Sequence, residues 1–102
     1  MAIAKPKKLT FAAPGATTNF VSHRCIYWGF RVGMDAANDP TITLYDNAST
    51  GSGLEVEPTN TYDATALGAN GANMGVGVLC ENGITGTVAI AAGSCEITVY
   101  YS

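Results

Sequence analysis

The residues able to carry chemistry in this chain are few and widely spaced. His23 is the single histidine, and the three cysteines stand at Cys25, Cys80 and Cys95. Together they make the ligand inventory of a three-thiolate, one-imidazole zinc site. Their spacing opposes it. No Cys-x-x-Cys pair occurs, and Cys80 and Cys95 follow the apolar phase of their strands, where small buried hydrophobes belong. The cysteines are therefore expected as buried free thiols, with no metal and no cofactor. A hydrolytic nucleophile with its base is equally hard to build around one histidine. Ser22 precedes His23, but adjacent residues of a strand face opposite ways.

Other constellations read the same way. Glu55 and Glu57 share a strand face about 7 Å apart, and paired carboxylates serve glycosidases. Those carboxylates work in a cleft, whereas "LEVEP" reads as a solvated strand. "GANGANMGVG" has the glycines of a phosphate cradle but lacks Gly-Lys-Ser/Thr and a following helix. Asp35, Asn38, Asp39, Asp46 and Asn47 do not follow the order of a calcium loop, and Asx residues are ordinary turn formers. No catalytic residue is expected.

The elements that would position these side chains are strands. "RCIYWGFRV" sets Ile26, Trp28, Phe30 and Val32 on one face at period two, predicting a central core strand. "TITLYDNASTGSGLEVE" predicts a hairpin, with Ile42, Leu44, Leu54 and Val56 inward and Glu55 and Glu57 outward. "YDATAL" is read as part of a loop. "MGVGVLCE", "ITGTVAIA" and "CEITVYY" complete five or six strands, the last with Cys95, Ile97, Val99 and Tyr101 opposite Glu96, Thr98 and Tyr100. Turn signals recur every eight to twelve residues, and no convincing helix intervenes. The expected fold is a single small antiparallel β-sandwich, jelly-roll or Ig-like.

At 102 residues the chain suffices for one domain, whose core should hold without staples. Hydrophobic residues make up 47% and charged residues 13%, with 12 glycines, a balance that favours strands and turns. The net charge of −3 conceals an asymmetry. Lys5, Lys7 and Lys8 lie in the first eight residues, while the rest holds two arginines against eight acids. Residues 1–20, with Pro6 and Pro14, read as an extended N-terminal arm that orders only against a partner or its own body, and within it "KKLTF" could pair as a short edge strand. Residues 21–102 read as the sandwich domain. A basic arm on an acidic body suits a negative partner, including a neighbouring copy. The acidic body disfavours direct nucleic-acid binding. No secretory signal or membrane span is visible, so cytoplasmic synthesis and no membrane partner are expected.

Tyr27, Tyr45 and Tyr100 fall on the faces opposite the apolar strand phase, where tyrosines suit either a second core layer or a subunit interface, with a sugar-stacking platform a third reading. Tyr27, Tyr45, Tyr100 and Tyr101 are the candidates for the interface.

With these residues laid out, the chain resembles a family. "GFRVG…TITLYDNASTGSG", the strand pair "GVGVLCENGITGTVA" and the terminal "SCEITVYYS" resemble small β-sandwich virion proteins of tailed bacteriophages. There a short strand leads to a "TVTVYDN-S-GSG" hairpin, then an "NGLTV" strand and a closing "VTVSY" strand. The likeness spans roughly Tyr27 to Tyr101. "LYDNAS" and the terminal strand carry most of it, while the "TYDATALGANGAN" insertion and the lysine-bearing arm depart from it. The resemblance implies a non-enzymatic head decoration (cement) protein. It would be a homo-oligomer, trimer or dimer, made in the host bacterial cytoplasm and bound to the major capsid protein on the capsid exterior. The arm residues Lys5, Lys7, Lys8, Leu9 and Phe11 would contact the shell. Related sandwiches serve in tails and fibres, so a receptor- or glycan-binding module is the alternative.

Overall fold

The computed structural model describes residues 3–34, 39–62 and 71–102. The expected loop around "YDATAL" therefore lies largely outside the described residues, as do Asp35 and Asn38. Among the described residues the elements are β1 (Lys5–Ala12), β2 (Gly15–Val21), β3 (Cys25–Met34), β4 (Thr41–Tyr45), β5 (Glu55–Thr61), β6 (Gly71–Cys80), β7 (Ile84–Ala89) and β8 (Ser94–Tyr101). They form two four-stranded antiparallel sheets, ordered β1-β8-β3-β6 and β2-β7-β4-β5.

The pairing has one logic. β1 pairs with β8, β2 with β7, β3 with β6 and β4 with β5. The chain is thus one long hairpin rolled over itself, its successive rungs laid alternately in the two sheets. That is the strand plan of a jelly roll, and it decides between the two sandwich forms left open by the sequence.

The core fills the space between the sheets. β8 keeps the expected alternation, with Cys95, Ile97 and Val99 buried and Glu96 exposed. Ile42 and Leu44 of β4 face them from the second sheet, both fully buried. On the outer face of that second sheet, threonines pair through their hydroxyls. Thr17 meets Thr87 at 3.0 Å, Thr41 meets Thr61 at 2.8 Å and Thr43 meets Thr59 at 2.6 Å. Such cross-strand pairs lock neighbouring strands in register.

Three expectations are corrected. Residues 5–20 do not form an arm separate from the body, because β1 and all but the last residue of β2 lie there as strands of the two sheets. The apolar residues of that segment decide this: Phe11 and Phe20 are buried and their rings meet at 6.1 Å.

The phase of β3 is reversed before its midpoint. Tyr27 is fully buried and Phe30 nearly so, while Ile26 and Trp28 face outward, each half-buried. A β-bulge accounts for it. Tyr27 stands opposite Tyr101 and Gly29 opposite Tyr100, leaving Trp28 as the extra residue. Gly29 takes φ 139°, which L side chains rarely adopt.

The third correction concerns β5. Leu54 is 73% exposed instead of buried. The register shifts between the Leu44–Glu57 and Tyr45–Glu55 pairs, which turns Glu57 inward. Val56 is half-buried against the core, as expected.

Candidate interaction surface

The bulge in β3 creates the main surface feature. By lifting Trp28 out of the core it places the indole on the outer face of the β1-β8-β3-β6 sheet. Trp28 Nε1 donates to Ser102 Oγ at 2.8 Å. Ser102 is itself held to Ile26 by reciprocal backbone hydrogen bonds of 2.9 and 3.0 Å. Ile26 lies opposite Leu79 of β6, which is 45% exposed. Gly77 lets these side chains lie against the strand. A Cβ there would come within 2.5 Å of Ile26 Cγ2 and 3.2 Å of Trp28 Cη2. Ile26, Trp28, Leu79 and the half-buried Tyr100 thus make an apolar strip over three strands of one rigid sheet. Further along the same face the character turns ionic, with Lys8 bridging Glu96 at 3.2 Å.

The loop from Asp46 to Leu54 is held as firmly as a strand end. Asn47 Oδ1 accepts the backbone N–H groups of Ser49 and Thr50 at 2.9 and 2.8 Å, an Asx turn. Asp46 accepts from the backbone N–H of Glu81 at 3.0 Å and of Asn82 at 2.8 Å. These two residues therefore pin a turn, and their side-chain oxygens are spent on backbone donors.

The sequence-predicted site residues fall into three groups. Lys5, Lys7 and Lys8 share β1, an edge strand, and all are exposed. Leu9 is half-buried against the core and Phe11 is inside it, so neither reaches for a partner as an arm residue. Among the tyrosines, Tyr27 is fully buried and is removed from the interface set. Tyr101 packs against the core from the inner face, while Tyr45 and Tyr100 are half-buried on the outer faces of opposite sheets. The four tyrosines do not form one patch. Ile26, Trp28 and Leu79 were missed because strict period-two reading assigned Ile26 and Trp28 to the core. The only sequence signal for the bulge is Gly29.

Cys25, Cys80 and Cys95 are buried, and no disulfide joins them. Cys25 and Cys80 are direct cross-strand partners, and burial raises the pKa of both. The Cys80 thiol is pushed up to about 12 by burial first, with Cys25 and the Asp46 carboxylate adding to it. His23 sits at the exposed turn between β2 and β3, its Nδ1 3.0 Å from the Arg24 carbonyl. Among the described residues no group of three His, Cys, Asp or Glu side chains is placed to hold a metal ion. No helix among them is long and apolar enough to cross a membrane.

No family model matches the chain, and neither the curated proteins nor the solved structures yield a match. What is established is the class: an all-β protein of two antiparallel sheets with jelly-roll strand order.

Proposed function

We propose that this chain is a non-enzymatic virion structural protein of the decoration type, stabilising an assembled phage head by binding the major capsid protein from outside. The observation that carries the reading is the apolar strip of Ile26, Trp28, Leu79 and Tyr100 on one face of a fully cross-paired sandwich. A large aromatic held by a hydrogen bond on a rigid sheet suits the central contact of a protein interface. The resemblance of the hairpin and terminal strand to phage virion proteins gives the partner its class. In this reading the protein also self-associates, so neighbouring copies brace one another on the shell. Jelly rolls serve in viral capsids, and also in lectins.

The test is thermal. A ligand of the assembled state stabilises that state by mass action. Particles carrying the protein should rupture at a higher temperature than particles lacking it. Identical rupture curves with binding confirmed would sink the cement role.

A second reading, a tail or fibre glycan-binding module, is favoured by the same indole beside Tyr100, since flat aromatic faces stack on sugars. Glycan-array binding by the purified chain, with no affinity for heads, would promote it.

A further inference from the structure

We infer that the protein assembles head to tail, the β1 flank of one copy meeting the β5–β6 flank of the next. This deepens the self-association reading and rests on it. The geometry follows from sheet order. β1 and β5 are opposite ends of their respective sheets, and β1 packs over β2. One flank of the sandwich is therefore made by β1 and β2, the other by β5 and β6.

The two flanks are complementary in charge. β1 carries Lys5, Lys7 and Lys8, three of the five cationic side chains in the chain. Glu96 takes only Lys8, so Lys5 and Lys7 have no ionic partner among the described residues. β5 carries Glu55, exposed and likewise without an ionic partner there, whereas Glu57 is turned inward to Tyr27. Each flank adds exposed aliphatic side chains to its charges. Ile3, 79% exposed, precedes the lysines, while Leu54 (73%) precedes Glu55 and Val76 (66%) stands on β6. Apolar contact ringed by complementary charge is the make-up of a protein interface.

The backbone fixes how the flanks meet. Pro6 and Pro58 sit in β1 and β5, two of the four edge strands, where the missing N–H and the bulky ring oppose ladder extension by a second chain. At β1 and β5 the contact is therefore made by side chains and not by strand addition. Because the two surfaces differ, the interface is heterologous, and repetition closes a ring or continues as a filament. The flanks leave the strip around Trp28 uncovered, so a ring can bind a shell through its faces.

The experiment measures self-association of the full chain by sedimentation velocity and native mass spectrometry. Wild type is compared with Lys5→Glu/Lys7→Glu, with Glu55→Lys, and with an equimolar mixture of the two variants. Wild type should oligomerise, more weakly as salt rises. Each variant should associate at least tenfold more weakly, because one flank then repels its counterpart. The mixture should regain association with the two variants alternating, so that any closed ring holds an even number of copies. All substituted side chains are exposed or on an edge, and circular dichroism checks the fold. If the double variant does not fold, Glu55→Lys alone decides. Variants that associate as tightly as wild type would overturn the flank assignment while self-association stands. A wild type that is monomeric at all concentrations would overturn both.

Discussion

Tyr27 donates its phenolic hydrogen to Glu57 Oε2 at 2.8 Å, tying β3 of one sheet to β5 of the other. The phenol is fully buried, so its O–H has no access to water in exchange. Removing the acceptor strands a buried donor, which costs about 1–3 kcal/mol, whereas removing the hydroxyl deletes only the bond's net contribution. Glu57→Ala should therefore destabilise more than Tyr27→Phe, and Glu57→Gln, which keeps an acceptor, should fall between wild type and Ala. Urea denaturation of the three variants checks the order. Equal losses for Tyr27→Phe and Glu57→Ala would mean that the stranded phenol adds no penalty beyond the lost bond.

A second prediction concerns the bulge. Gly29 holds φ 139°, so a side chain there is strained whatever space surrounds it. Gly29→Ala should cost about 1–3 kcal/mol of stability. Gly33, in the same strand, takes no such conformation and has nothing within 4 Å of an added Cβ. Gly33→Ala should be near neutral, and paired thermal melts compare them. A neutral Gly29→Ala would remove the bulge as the cause of the strand's reversed phase.

That bulge also marks where the sequence stops being legible. Period-two reading works where pairing is regular: Ile42 and Leu44 in β4, and Cys95, Ile97 and Val99 in β8, all fall inward as read. It fails where one extra residue enters. Trp28 in β3 and the Glu55–Glu57 stretch of β5 both switch face at register shifts, and nothing in their own side chains announces it. The N-terminal strands failed for another reason. The lysines and Pro6 of β1 read as an extended arm, yet they are what an edge strand carries to prevent mispairing. The interaction surface was missed with the bulge, because Trp28 reads as core until the extra residue is seen.

Alkaline pH should unfold the protein early. Burial raises the Cys80 pKa to about 12, Cys25 and Asp46 adding to it. Burial with the Asp46 charge raises Cys25. Tyr27 is raised by burial and then by its bond to Glu57. The unfolded chain titrates its thiols near 9.0. Above that pH the unfolded state sheds protons that the native state keeps, so stability present below pH 9 declines as pH rises. Melting temperature should fall between about pH 9 and 12, less steeply for Cys80→Ala. A flat profile over that range would contradict the burial of these groups. Below pH 9 the native thiols should react slowly with a disulfide reagent, and all three should react at once in denaturant.

The last prediction separates structure from function at Trp28. In the core, Trp→Ala costs about 3–5 kcal/mol, but this indole is half-buried on an outer face, with Gly77 beneath it and Ser102 at its edge. Trp28→Ala should therefore cost less than about 2 kcal/mol, well below Phe30→Ala, whose ring is buried edge-on to Tyr62 at 5.5 Å. Its effect should appear instead in binding. If the strip of Ile26, Trp28, Leu79 and Tyr100 docks on a shell, removing its largest ring should weaken particle binding by 2 kcal/mol or more, the mark of a central interface residue. Chemical denaturation and particle co-sedimentation on the same variant read the two effects independently. A folded Trp28→Ala that binds particles as wild type does would take this face out of the interface. A Trp28→Ala that fails to fold would return the indole to the core and restore the unbulged phase of β3.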